Sequence, residues 1–486
     1  MNIRAILKYI GHILLFEGVL MFPALIIAAV RRENGAFDGF LLAMLLLVML
    51  GLALTGSQHK IKGSMYAREG FVTVALAWIL ISLFGALPYY IGGAIERFVD
   101  CWFEAVSGFT TTGATILPSI ESLPRSILYW RSFSGWLGGM GVLVFMLAVL
   151  PGTKGSGETL HLIRAEVPGP SVGKLTPRLR HTARLLYVLY VVFTAATMLL
   201  LLFAGLPLFE SLTTAFSIAG TGGFAITNAG IAGIGKTPLH VLIAVLMVLA
   251  GVNFSLYYMA IMKQARAALR NEELRVYLLV LLAATVMITL DILPLYAGDL
   301  REASAQSFFQ VSSLLSTTGY HTTDYNQWPQ FSRFLLLLLM VVGACAGSTG
   351  GGIKISRVMI LLRSLAAQLR TMLRPRAVKP VRLDGKTLGE DIFRNTAAYI
   401  AAYIGVCLVS VLIVSIDGHS MESAVSAVLA SLSNIGPGFD MVGPTGNFSL
   451  FSPLSKVVLS FNMLIGRLEI FPILLLFAPG TWKKWA

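Results

Sequence analysis

Apolar residues along this chain gather into runs long enough to cross a bilayer, separated by short polar stretches. A spanning helix needs about 20 apolar residues. Ten stretches meet that length: 8–30, 37–57, 70–93, 126–150, 182–205, 238–262, 274–297, 331–361, 392–416 and 454–478. Four shorter, semi-polar stretches lie between particular pairs of these, at 100–110, 209–219, 303–315 and 421–432. They are too short to span, which predicts half-helices that dip into the membrane and return. The pattern predicts an all-α polytopic membrane protein.

A short Ser/Thr/Gly tract follows each half-helix: Thr110-Thr111-Thr112-Gly113, Gly220-Thr221-Gly222-Gly223, Ser316-Thr317-Thr318-Gly319 and Ser433-Asn434-Ile435-Gly436. The unit of span, half-helix, tract and span therefore occurs four times, after two extra N-terminal helices. The boundaries this implies are 1–67 for the N-terminal pair, then 68–165, 166–271, 272–385 and 386–486 for the four units. A half-helix directs its partly negative C-terminus toward the membrane centre, and its N-terminus favours an acid. Asp100, Glu210, Glu302 and Glu422 stand near the four predicted starts. Glycine permits the backbone needed to aim carbonyls inward, and four tracts around one axis would form a ring of neutral oxygen ligands. That chemistry suits a large monovalent cation. The predicted ligands are Thr111, Thr112, Gly113, Thr221, Gly222, Gly223, Thr317, Thr318, Gly319, Asn434, Ile435 and Gly436. The fourth tract, with Pro437 directly after it, is expected to depart from the geometry of the others.

Composition agrees with the pattern. Of 486 residues, 56% are hydrophobic and 13% charged, against about 25% charged in soluble proteins. The net charge of +13 raises a nucleic-acid reading, but the basic residues lie between apolar runs. With the N-terminus inside, most of the 37 Lys and Arg fall on inner segments, as the positive-inside rule requires. Both termini are then cytoplasmic. Cys101, Cys345 and Cys407 have no metal-ligand spacing, and the seven histidines form no catalytic constellation, so neither an enzyme nor an organic cofactor is expected.

Two further features point to control of a path. Residues 343–352 hold five glycines, each costing a helix about 1 kcal/mol relative to Ala, so a break is predicted there. The segment fails as a phosphate-binding loop, because Ile353 intervenes before Lys354 and no Ser or Thr follows the lysine. It reads instead as an intramembrane gating loop of Gly347, Ser348, Thr349, Gly350, Gly351 and Gly352, with Lys354. This loop is expected to close the path without touching the ion ligands. Arg467 lies within the last apolar run, where a charge is costly and marks a functional candidate. Neutralisation by Glu469 is its bland alternative. Glu104 is the best candidate for a buried carboxylate, with helix stabilisation its expected role.

At these residues the chain resembles the Trk/Ktr/HKT superfamily of potassium transporters, and its TrkH type in particular. The resemblance spans essentially the whole chain. It rests on Phe109-Thr-Thr-Thr-Gly-Ala-Thr115, Arg164-Ala-Glu-Val-Pro-Gly-Pro170, Cys345-Ala-Gly-Ser-Thr-Gly-Gly-Gly-Ile-Lys354 and Gly466-Arg-Leu-Glu-Ile-Phe471. It implies a pseudo-fourfold potassium pore within one chain in the bacterial inner membrane, assembled as a homodimer. It also implies a cytosolic nucleotide-binding ring of the TrkA type as partner, with Arg374, Arg376 and Lys379 in a basic linker that would face it. The competing class is a secondary transporter coupling potassium to protons or sodium. Such transporters often carry inverted repeats, whereas these four units share one orientation.

Overall fold

The structure, a computed structural model, describes residues 1–56, 67–141, 179–374 and 381–482. The Arg164–Pro170 motif and the linker residues Arg376 and Lys379 lie outside the described residues. The chain is overwhelmingly helical. Among the described residues the one sheet is a two-stranded hairpin, Arg382–Leu383 with Lys386–Thr387.

Among the described residues, six helices are long and apolar enough to cross a membrane: Ile3–Arg31, Asn34–Gly56, Arg68–Ile91, Ala183–Phe203, Glu272–Tyr296 and Glu390–Asp417. A seventh is reached if Thr237–Ala250 and Phe254–Leu269, which meet at 89°, count as one. The other predicted stretches are shorter or bent. They are those that follow the tracts. Each begins as a helix of moderate length: Arg125–Gly139, Thr237–Ala250, Gln330–Val342 and Pro453–Arg467. Each of these closing helices then stops at a local break. Gly141 takes φ +77°, Gly343 φ +69°, and Glu469 and Ile470 take φ +55° and +69°. The second break lies at Gly251–Asn253, where the bend begins. A left-handed residue cannot continue an α-helix, and a break of the kind expected only in the glycine-rich third unit follows all four closing helices, at left-handed residues in three of them.

Local sequence sets where the closing helices begin. A proline stands within one position of the helix start in all four: Pro124, Pro238, Pro329 and Pro453. Its fixed φ and missing N–H suit that position. Three starts are also capped by a distant acid. Glu33 accepts from Arg125 N at 2.8 Å, Asp291 from Ser332 N at 3.1 Å and Asp417 from Ser452 N at 2.8 Å.

The half-helices are Phe98–Phe109, Leu208–Gly220, Leu300–Leu315 and Met421–Leu432. Each carries its acid in the first turn. Every closing helix packs between its own half-helix and the next, and the fourth packs against the first. The arrangement is cyclic. Charged pairs fasten two of these joints: Lys456 to Asp100 at 2.6 Å, and Arg333 to Glu422. A third joint uses Thr237 Oγ1, which donates to Glu302 at 3.4 Å. The acids expected to serve only the helix dipole thus also hold neighbours together.

Candidate functional site

The four tracts share one backbone. The second and fourth residues of each are left-handed: Thr111 and Gly113 at φ +56° and +77°, Thr221 and Gly223 at +54° and +61°, Thr317 and Gly319 at +59° and +82°, Asn434 and Gly436 at +53° and +101°. Their amides repeat one hydrogen-bond scheme. Thr111 N donates to Gly108 O and Thr112 N to Ser107 O, and the corresponding pairs recur at Thr221/Gly222, Thr317/Thr318 and Asn434/Ile435. The fourth tract therefore copies the others, against the expectation drawn from Pro437. Asparagine is among the non-glycine residues that best tolerate the left-handed region. Pro437 follows Gly436, so its missing N–H falls outside the shared pair of bonds.

The tracts also meet in order around a closed ring. A Cβ on Gly113 would come closer than 3.0 Å to Gly222 O, one on Gly223 to Thr318 O, one on Gly319 to Ile435 O, and one on Gly436 to Thr112 O. Each final glycine is required twice, by its positive φ and by the carbonyl of the next tract. No charged side chain belongs to any tract, so the ring offers neutral oxygens alone.

Past the tracts, the outgoing segments are laced to their neighbours. Ile120 N donates to Asn228 Oδ1 at 2.7 Å, Ile231 N to His321 O at 3.1 Å, Asp440 N to Asn326 Oδ1 at 2.9 Å and Phe448 N to Thr115 O at 2.9 Å. These segments and all four final glycines surround a cavity of about 110 Å³. On the side of the helix breaks lies a second cavity of about 100 Å³, bordered by Trp78, Gly139, Gly350, Gly351, Lys354 and Arg467, among others.

The predicted loop residues and Arg467 are brought together there. Arg467 donates to Thr349 O at 2.8 Å, to Gly139 O at 2.7 Å, to Gly138 O and to Thr111 Oγ1 at 3.2 Å. The glycine carbonyls close the first closing helix, where the helix dipole favours a cation. Glu469 does not neutralise Arg467 by an ion pair; its carboxylate binds Arg357, whose guanidinium lies over the Tyr399 ring. Lys354 is buried, and its ammonium donates to Gly350 O. Gly351 N donates to Thr317 Oγ1 at 2.7 Å, and a Cβ on Gly351 would come closer than 3.0 Å to Ser433 O. The loop thus presses on the third and fourth tracts, and the expectation that it stands clear of them is corrected. A run of glycines is what allows so close a backbone approach.

Sequence reading singled out Glu104 but missed its partner and several other participants. Glu104 is wholly buried and paired with Arg131, whose Nε stands 2.8 Å from Oε1. The same carboxylate accepts from Ile116 N at 3.0 Å and Thr115 Oγ1 at 3.0 Å, while Arg131 donates to Ala225 O at 3.2 Å. The pair joins the segments that leave the first and second tracts. Arg131 falls within the apolar run 126–150, so the rule that singled out Arg467 applies to it equally. Ser107, Ser217 and Ser313 each stand six positions before a tract glycine and donate to Ala114 O, Phe224 O and Tyr320 O at 2.6, 3.0 and 2.6 Å. Aligning the repeats on their glycines exposes that serine, with Ala430 in the fourth. Asn253 caps Ser255 N at 2.9 Å and packs against Gly347.

Comparison with known proteins agrees with this architecture. The profile of the TrkH family, described as a cation transport protein, matches residues 38–484. Trk system potassium uptake protein TrkH of Salmonella typhimurium is 35% identical over 490 residues, covering all of both chains. Trk system potassium uptake protein TrkG of Escherichia coli is 30% identical, covering 99% of each chain. The crystal structure of the potassium transporter TrkH from Vibrio parahaemolyticus superposes with a TM-score of 0.89 at 30% identity, covering 99% of this chain and 100% of that one. With a family profile and full-length relatives in agreement, the chain belongs to the TrkH family, a family of transport proteins and not of enzymes.

Proposed function

We propose that this chain takes up potassium through a channel-like path whose selectivity filter is the ring of four tracts. One observation carries the reading: four segments of different sequence adopt the same backbone and close a cyclic contact through their final glycines. Neutral oxygens held by such a frame replace the hydration shell of a large monovalent cation. The relatives named as potassium uptake proteins supply the ion. Each half-helix directs its C-terminal end at this ring, adding a partial negative charge.

In this reading the ten apolar stretches cross the membrane ten times, and the four units share one pore behind the two N-terminal helices. The chain lies in a bacterial cytoplasmic membrane with both termini inside, the orientation favoured by its basic segments. Residues Gly347–Gly352, Lys354 and Arg467 form the gate, beneath the filter on the cytoplasmic side. A second copy completes a homodimer, and a cytosolic nucleotide-binding ring of the TrkA type controls opening. Inward flow draws on the membrane potential, about 2.3 kcal/mol per charge per 100 mV.

The decisive measurement is potassium flux into liposomes holding the purified chain, with reversal potentials under imposed ion gradients. Passive conduction gives a reversal potential at the potassium equilibrium value. A shift with the proton or sodium gradient instead establishes the coupled transporter.

A further inference from the structure

Glu273 occupies the second position of the helix Glu272–Ile292, at the end nearest the loop, and is only 7% exposed. Its Oε1 accepts from Ala346 N at 2.7 Å and from Ser356 N at 3.1 Å. These two amides flank the glycine segment: Ala346 directly precedes Gly347, and Ser356 lies in the first turn of the helix Ile355–Leu373. A single carboxylate oxygen therefore fixes both ends of the loop. The interaction at Ser356 also sets a negative charge at a helix N-terminus, where the dipole favours it.

The base of this contact is itself held. Asp384, in the hairpin turn, accepts from Glu272 N at 2.8 Å and from Asn271 Nδ2 at 2.8 Å. Arg363 pairs with Glu272 at 2.6 Å. Across the loop, Phe254 N donates to Gly347 O at 3.1 Å and Cys345 N to Gly251 O at 3.1 Å. The glycine run lacks side chains with which to anchor itself, so its position depends on such outside partners. The hydrogen bonds to a buried carboxylate, like those from Arg467 and Lys354, are of the stronger, charge-assisted type.

We propose that Glu273 is a positioning residue that clamps Gly347–Gly352 against the tracts and sets the closed state of the path. The inference rests on the gating role assigned above. Displacing the loop requires the amides of Ala346 and Ser356 to leave the same oxygen. Losing the carboxylate then frees both flanks at once, whereas glutamine keeps an oxygen in place to accept. Neither change alters a tract residue, but a displaced loop withdraws the Gly351 amide from Thr317, so selectivity falls far less than flux rises.

The test compares Glu273→Ala, Glu273→Asp, Glu273→Gln and a variant shortened within Gly347–Gly352, all as full chains in liposomes. Potassium flux and the permeability ratio are read together with the modification rate of a Ser348→Cys reporter. The reporter is placed in a background whose three native cysteines are replaced by serine. Glu273→Ala is expected to raise basal flux and reporter modification severalfold with at most a small loss of selectivity, with Glu273→Asp intermediate and Glu273→Gln near wild type. If the shortened variant opens the path while Glu273→Ala changes neither readout, the clamp is refuted and the gate stands. If the shortened variant leaves flux unchanged, the gate fails, and reporter modification alone decides whether Glu273 holds the loop. Should Glu273→Ala fail to fold, Glu273→Asp carries the comparison, because its carboxylate is one methylene too short to meet both amides. A Glu273→Asp protein indistinguishable from wild type in both readouts also overturns the proposal.

Discussion

The Arg467 guanidinium stands 3.2 Å from the Thr111 hydroxyl and 2.8 Å from the Thr349 carbonyl. One cation thereby joins the first tract to the loop, and it also satisfies the end of the first closing helix at Gly138 and Gly139. In the proposed path, a positive charge so close to the ring would oppose a cation and brace the loop in the same place.

Arg467→Ala is expected to raise basal potassium flux, since it removes both the electrostatic barrier and the bond to Thr349. Because Thr111 also loses a donor, the potassium-over-sodium ratio should fall modestly. Arg467→Lys keeps the charge but cannot reach four acceptors in a fixed fork, so it should restore the barrier more fully than the selectivity. Flux and permeability ratio measured on both variants check this; equal loss of both properties in the lysine protein would separate neither role.

Gly113→Ser places a side chain at φ +77° and into Gly222 O. Backbone strain of this kind costs about 1–3 kcal/mol, and the clash must displace the second tract. Potassium preference should drop sharply while the protein still folds. Permeability ratios unchanged in a folded Gly113→Ser protein would remove this tract from the filter.

The buried Glu104–Arg131 pair should be more sensitive to loss of one partner than of both. Glu104→Gln leaves a buried guanidinium unpaired, a loss on the order of 3–5 kcal/mol for such pairs. The double variant Glu104→Gln with Arg131→Met should lose less than the two single variants added together. Thermal unfolding in detergent across the four proteins gives the coupling directly, and additive losses would show that the pair acts as two separate groups.

His321 lines the cavity beyond the tracts and packs on Gly230. Burial pushes its imidazole down to about 4 from 6.5, with Asp324 opposing the shift. It is therefore neutral at pH 7. A base whose folded value is lowered binds its proton first in the unfolded chain, so stability is lost as pH falls from 6.5 toward 4. In the folded chain the charge appears only as pH nears about 4, and there it should also lower cation flux. His321→Gln should flatten both dependences, and an unaltered acid profile in that variant would place the titration elsewhere.

The spans, half-helices and tracts were legible because each depends on a local property. Apolar length marks a membrane helix, and proline and glycine mark starts and turns. The half-helix predicted at 421–432 is found at Met421–Leu432, and the one at 209–219 at Leu208–Gly220. The gaps were of a different kind. Glu104 suggested a helix-stabilising acid, whereas its partner Arg131 stands 27 positions away and belongs to another helix. Pro437 suggested an aberrant fourth tract, yet the residues that set the fold of that tract are Asn434 and Gly436.

The sequence by itself determined which segments are apolar enough for a membrane, where they pause, and that four glycine-ended tracts recur in one orientation. Those are consequences of composition and spacing along the chain. Only the tertiary structure decided that Gly113, Gly223, Gly319 and Gly436 each abut the next tract's carbonyl, that the loop bonds Thr317 and that Arg467 reaches Thr111. Each of those contacts joins residues far apart in sequence. Their distances follow from how whole helices pack around a common centre, and no local property of either partner encodes them.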